Sequence, residues 1–398
     1  MALLIKNASE ILTMKDGIGL IKDCSVLIEE ETISEVGMIK HAKKVPTIDA
    51  ERCIVLPGFV DSHTHLVFAG TREDEFVMRI SGTSYEKIAK AGGGIFSTVK
   101  KTRAATEDEL YGLAMKRLAN IITKGTTTIE IKSGYGLSVS EELKILRVIE
   151  RLKQDCPIEI IPTLLIHTIP EPMKRRDYVD LVIEEVIPYV AKENLAVFCD
   201  IFCDKTAFTK KESEKILRKA KELNFKLKIH ADELSNSGGA SLAAKLGCIS
   251  ADHLIHTTKG TIKAMKKAGV TPTLLPGTSF YLQMKQKPNI KAFNKTKSSV
   301  AIASDFNPGT CMINSMLTII GLACFMYNMS VENALLGATK NGARALDLFD
   351  KIGTIEKGKQ ADLIVLKLDH YKKIPYYFGE QTVKYTIKKG RIIYGENC

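Results

Sequence analysis

The sequence predicts an α/β protein built on a (β/α)8 barrel, with a small β domain contributed by both ends of the chain. Three observations carry this. Seven short β-rich segments in the middle of the chain are each followed by a longer helical pattern, and an eighth segment precedes Val60-Asp61-Ser62-His63-Thr64-His65. Histidines and acidic residues gather where these segments end. Eight strand-plus-helix units over this length fit a parallel barrel, whose chemistry sits at the C-terminal ends of its strands.

With 398 residues the chain suits a large barrel carrying a smaller companion domain. Its apolar fraction of 45% and charged fraction of 26% are those of an ordinary globular protein and exclude disorder. The N-terminus, Met1-Ala2-Leu3-Leu4-Ile5-Lys6-Asn7, has no long apolar stretch behind a basic start, and no later segment reads as a membrane span. We therefore expect a cytoplasmic protein with no membrane partner. Nine scattered cysteines agree with a reducing compartment, and the pair Cys199 and Cys203 lacks the second close pair that a zinc ribbon needs. A net charge of +11 raises the question of nucleic acid. Lys210, Lys211, Lys215, Lys219 and Lys221, however, alternate with glutamates as on a solvated helix face, and no basic stretch is interleaved with aromatics. The expectation is no nucleic-acid partner; the excess charge suits an anionic small molecule.

In chain order, the first 57 residues read as short strands and turns. Ser25–Gly37 forms a hairpin pattern, and a stretch over residues 44–50 leads into the apolar run Ile54-Val55-Leu56 and a Pro57-Gly58 break. The far end matches, with β-rich segments over 361–367 and 383–394. Residues 1–57 and 358–398 are thus expected to join as the small β domain, and 58–357 to form the barrel. Barrel strands are expected at 126–132, 159–166, 196–202, 226–229, 250–254, 271–275 and 300–304. Two helices show the apolar stripe of a core-facing element, Glu109–Ile122 and Ser140–Leu152, the second opening on a serine cap. A doubly wound sheet would want a glycine-rich phosphate loop after its first strand, where His63-Thr64-His65 stands instead.

Alternate side chains of a strand share a face, so His63 and His65 point the same way. A lone His-x-His is a weak signal, but the chain adds partners. The fifth strand ends in Ile229-His230-Ala-Asp-Glu233, the sixth carries Ala251-Asp-His253, and the eighth ends in Ser304-Asp305. Of eight histidines only His41 and His370 fall away from strand ends. His63, His65, His230 and Asp305 make a donor set for one divalent metal ion per subunit, Zn²⁺ or Fe²⁺, between which this set does not choose.

Narrower stretches extend the reading: Asp61-Ser-His-Thr-His-Leu-Val-Phe-Ala-Gly-Thr-Arg72, Ser84-Tyr85, Ala91-Gly-Gly-Gly-Ile95, Lys132-Ser-Gly-Tyr-Gly136, His230-Ala-Asp-Glu-Leu-Ser-Asn236, Leu275-Pro-Gly277 and Asp305-Phe-Asn-Pro-Gly-Thr310. Along nearly its whole length the chain resembles the amidohydrolase superfamily and, within it, the imidazolonepropionase family. The resemblance implies an amidohydrolase-type TIM barrel with a β-sandwich domain from both termini. It implies a hydrolase that opens the ring of the anionic cyclic amide 4-imidazolone-5-propanoate to N-formimidoyl-L-glutamate, the third step of histidine degradation, and a homodimer. By the same resemblance His253, Glu233 and Asp305 are the acid–base and catalytic groups. Arg72, Tyr85, Tyr135, His167, Glu233, Asn307, Gly309 and Thr310 are then the substrate contacts, with the Arg72 guanidinium suited to a carboxylate tail. The fourth strand ends in Phe202-Cys203-Asp204 without a lysine, so one metal is expected rather than two. Gly92-Gly93-Gly94 reads as a hinge in a covering loop or as a tight turn. Two other readings stand beside this one: a nucleobase deaminase of the same superfamily, and a non-catalytic relative that keeps the barrel as a binding module.

Overall fold

The structure, a computed structural model, describes residues 2–39, 45–83 and 93–395. The chain opens with β1 (Ala2–Leu12), β2 (Leu20–Glu29), β3 (Thr32–Gly37), β4 (Thr47–Asp49) and β5 (Ile54–Pro57). The barrel strands follow: β6 (Phe59–Asp61), β7 (Thr126–Lys132), β8 (Glu159–Ile166), β9 (Phe198–Cys203), β10 (Lys226–Leu227), β11 (His230–Ala231), β12 (Ser250–His253), β13 (Thr271–Leu274) and β14 (Ala301–Ile302). Then come β15 (Leu363–Leu366), β16 (Val383–Lys388) and β17 (Arg391–Gly395).

Strands from both ends make one mixed sheet, in the order β17-β16-β15-β5-β1-β2-β3 with β4 beside β1. Its seam is the antiparallel pairing of β5 with β15, where Val55 stands opposite Val365. The β2–β3 hairpin over Ser25–Gly37 forms as its alternation suggests, Val26 opposite Val36. Ile5, Val26, Val55, Leu363 and Ile387 pack into one buried cluster, so the hydrophobic effect ties the two termini together.

The second sheet is parallel throughout, in the order β14-β13-β12-β11-β9-β8-β7-β6. It closes into a barrel through the segments just past its first and last strands. Thr64 bridges Phe306, the Asp305 N–H donates to the His63 carbonyl at 3.0 Å, and the His65 N–H to the Phe306 carbonyl at 2.9 Å. The fifth strand is split, β10 and β11 flanking Lys228-Ile229.

β7 shows how a buried parallel strand is decorated. Ile129 and Ile131 turn outward into the apolar layer shared with Leu110, Leu118 and Leu146 of the covering helices. Glu130 and Lys132, two apart, turn inward and meet charges from other strands. The helix Glu107–Ile122 starts on a capping box, Thr106 and Glu109 satisfying each other's backbone N–H. The next helix, Val139–Asp155, begins earlier than its apolar pattern suggests: Ser138, in extended conformation, is the cap, and Ser140 already lies in the first turn. Among the described residues no helix is long and apolar enough to cross a membrane.

Candidate active site

At the C-terminal mouth of the barrel, His63, His65, His230, His253 and Asp305 form one buried cluster. Offered donor atoms of His63, His65 and Asp305 lie within 4.8 Å of one another, as do those of His63, His230 and His253. His65 Nε2 is 3.3 Å and His63 Nε2 3.6 Å from Asp305 Oδ1. The strand ends reach this geometry through strained backbone: His253, Leu254 and Asp305 have φ of 75°, 60° and 53°. Left-handed conformations in non-glycine residues are costly and concentrate where side chains must be aimed.

The Nδ1 of His63 lies 2.6 Å from Asp252 Oδ2, and the Nδ1 of His230 is 3.0 Å from Asp200 Oδ2. The Nε2 atoms of both rings are buried and have no hydrogen-bond partner. Burial holds the pKa of His63 and His65 below the usual imidazole value, so both rings are neutral, as metal ligation requires. Burial also acts on Asp305, but hydrogen bonds from His65 and Thr278 pull the other way, and that carboxyl stands below its ordinary value. Thr278 donates its hydroxyl to the other Asp305 oxygen. Orphaned, inward-facing imidazole nitrogens beside an ionised carboxylate fit a divalent cation held by His63, His65, His230 and Asp305.

Around this centre, His167 stacks on His65 with ring centroids 5.6 Å apart, and Tyr135 lies 6.0 Å from His65. His253 Nδ1 is 3.5 Å from Glu233 Oε1. Burial, and then the Asp305 charge, push the Glu233 carboxyl up to about 8; burial pulls His253 down to about 4.

A profile of the amidohydrolase family matches residues 54–393. The chain is similar to the imidazolonepropionase of Clostridium tetani, 45% identical with 98% of each chain covered, and to that of Parabacteroides distasonis, 43% identical with 98% of each covered. The chain belongs to the amidohydrolase family, among the imidazolonepropionases. Solved structures share the fold at low identity. A triazine hydrolase from Arthrobacter aurescens superposes with a TM-score of 0.75 at 17% identity, covering 100% of this chain and 95% of that one. An adenosine deaminase from Xanthomonas campestris with bound zinc gives 0.75 at 19%, covering 99% and 93%.

The loop after β14 brings Asn307, Gly309 and Thr310 beside Asp305. Asn307, however, spends its amide within that loop: its Nδ2 donates to the Asp305 carbonyl at 2.7 Å, and its Oδ1 accepts from the N–H groups of Gly309 and Thr310 at 2.9 and 2.7 Å. Arg72 reaches Gly309 but has its guanidinium paired with Glu75. Tyr85 lies outside the described residues, as do Gly92 and His41.

Beneath the histidines lies a layer of buried charges that the expected site residues do not include. Lys132 Nζ sits 2.7 Å from Asp200 and 2.8 Å from Glu130; Lys228 Nζ sits 3.2 Å from the same Glu130 oxygen and 3.7 Å from Asp252. All five side chains are fully buried. Asp200 and Asp252 are the groups that face His230 and His63, so two lysines and a glutamate hold the carboxylates that orient two candidate ligands. The signal was available: Glu130 and Lys132, spaced by two, interrupt an otherwise uncharged strand that is buried on both faces.

Proposed function

We propose that the chain hydrolyses 4-imidazolone-5-propanoate to N-formimidoyl-L-glutamate, with one Zn²⁺ or Fe²⁺ per subunit held by His63, His65, His230 and Asp305. The observation that carries this reading is the buried donor set with two free Nε2 atoms, in a chain whose relatives are imidazolonepropionases over 98% of their length. Bound there, a divalent cation supplies Lewis acidity and lowers the pKa of water toward neutrality.

The chain's own groups do the rest. Arg72 takes the propanoate carboxylate, while Tyr135 and His167 wall the ring against His65. His253, neutral and within reach of the cluster, accepts the proton that water loses as its oxygen adds to the ring carbonyl carbon. Glu233 keeps its proton near neutral pH and passes it to the ring nitrogen as the carbon–nitrogen bond breaks. Tyr85, Gly309 and Thr310 complete the substrate contacts, with Asn307 holding in shape the loop that bears the last two. A cytoplasmic homodimer, with neither nucleic acid nor membrane as partner, belongs to the same reading on the strength of the family likeness.

The experiment is mass-spectrometric detection of N-formimidoyl-L-glutamate after mixing metal-loaded protein with fresh substrate, His63→Ala serving as the blank. Product above the blank is expected. Equal signals from a native protein that holds its metal would overturn the assignment.

A further inference from the structure

Arg72 is not a loose surface cation. Its Nε donates to Glu75 Oε1 at 2.9 Å and its Nη2 to Glu75 Oε2 at 2.6 Å, with the two side chains only 11% and 10% exposed. Glu75 is held in turn by the Gly94 backbone N–H, 3.1 Å from both its oxygens. A guanidinium has five N–H groups, and this fork uses two of them on one edge. The Nη1–Nη2 edge remains, and Nη1 makes no hydrogen bond among the described residues. Gly309 sets where that edge lies: a Cβ built on it would fall 2.2 Å from Nη1 and 2.9 Å from Cζ. Only a residue without a side chain leaves the guanidinium in this place.

We infer that Glu75 and Gly309 are positioning residues that fix Arg72 with its Nη1–Nη2 edge presented to the carboxylate tail of the substrate, and that they thereby set the preference for an anionic tail. This rests on the reading that Arg72 holds that tail. A carboxylate can then dock in bidentate fashion on one edge while Glu75 keeps the other, and the rotamer freedom of a long side chain is removed before the ligand arrives. Because Glu75 also holds Gly94, the residue preceding the helix Ile95–Ala104, the grip on the tail is tied to the start of that helix.

The test compares the propanoate substrate with its neutral propanamide analogue in the metal-loaded wild type, Glu75→Gln, Gly309→Ala and Arg72→Met. Glu75→Gln is expected to raise KM for the acid by about tenfold with kcat changed less than about twofold, while the amide is nearly unaffected, so the acid-over-amide ratio of kcat/KM falls about tenfold. Gly309→Ala, at a residue that also touches the substrate, is expected to lower kcat/KM on both but to lower that ratio by a similar factor. Equal losses on acid and amide would mean a general structural role and overturn the inference, as would an unchanged ratio. If Glu75→Gln does not fold, Gly309→Ala reads the same ratio from the other side of the guanidinium. An unchanged ratio in Arg72→Met would instead show that the tail is held elsewhere, which separates failure of the underlying reading from failure of the inference.

Discussion

His63 and Asp252 share a 2.6 Å contact at the floor of the cluster, Nδ1 against Oδ2, and Ser250 anchors the other carboxylate oxygen at 2.7 Å. The arrangement keeps the proton on Nδ1 and leaves Nε2 bare toward Asp305. Asp252→Asn keeps the shape but loses the charge, so metal affinity should drop by about ten- to a hundredfold. Equilibrium competition with a chelator measures it, and wild-type affinity would mean that packing alone aims the ring.

Lys132 neutralises Asp200 and Glu130 where no water reaches any of the three. Replacing it by methionine leaves buried carboxylates uncompensated and should lower stability by about 3–5 kcal/mol. Urea unfolding of the two proteins decides this. A loss under about 1 kcal/mol would show that the remaining lysine, Lys228, carries the network by itself.

A ligand that binds only the folded state stabilises it. Restoring Zn²⁺ to the chelated protein at a hundred times the dissociation constant should add about 2.7 kcal/mol. His230→Ala should show little of that gain under the same conditions. A full gain in the variant would place the cation somewhere other than this cluster.

Glu142 is buried and accepts the N–H groups of Gly134, Gly136 and Leu137 at 2.8, 2.9 and 2.7 Å, which shapes the loop bearing Tyr135. Glu142→Gln should cost about 1–3 kcal/mol and raise KM by letting Tyr135 drift from His65. Thermal unfolding and steady-state kinetics on one preparation would expose a variant in which neither changes.

The net charge of +11 predicts a long-range pull on an anionic substrate. kcat/KM should fall several-fold between about 20 mM and 0.5 M salt, because the screening length shrinks from tens of ångströms to a few. A flat response would leave attraction to local groups such as Arg72.

Much of the architecture was legible because its signals are local. A strand's two-residue period put His63 and His65 on one face, and the alternation over Ser25–Gly37 announced its hairpin. Ends of helices were less legible, since Ser138 and Ser140 are equally good caps in composition and only the backbone at Ser138 is extended. The family resemblance, rather than spacing, singled out Arg72 and Glu233. It was silent on Glu75, an ordinary acidic residue until its carboxylate is found between Arg72 and Gly94.

By itself, then, the sequence determined the barrel, the joining of the termini and the set of histidines and acids at the strand ends, because strand and helix periods and turn chemistry are read within a few residues. Tertiary structure alone decided which nitrogen of His63 faces inward, that Asp200 and Asp252 lie beneath His230 and His63, and which edge of Arg72 is occupied. Those outcomes depend on contacts between residues such as His63 and Asp252, 189 positions apart, brought together only when the barrel closes. Lys132 and Lys228 are tolerated inside it because they meet Glu130, Asp200 and Asp252, a set of contacts between strands that no local pattern encodes.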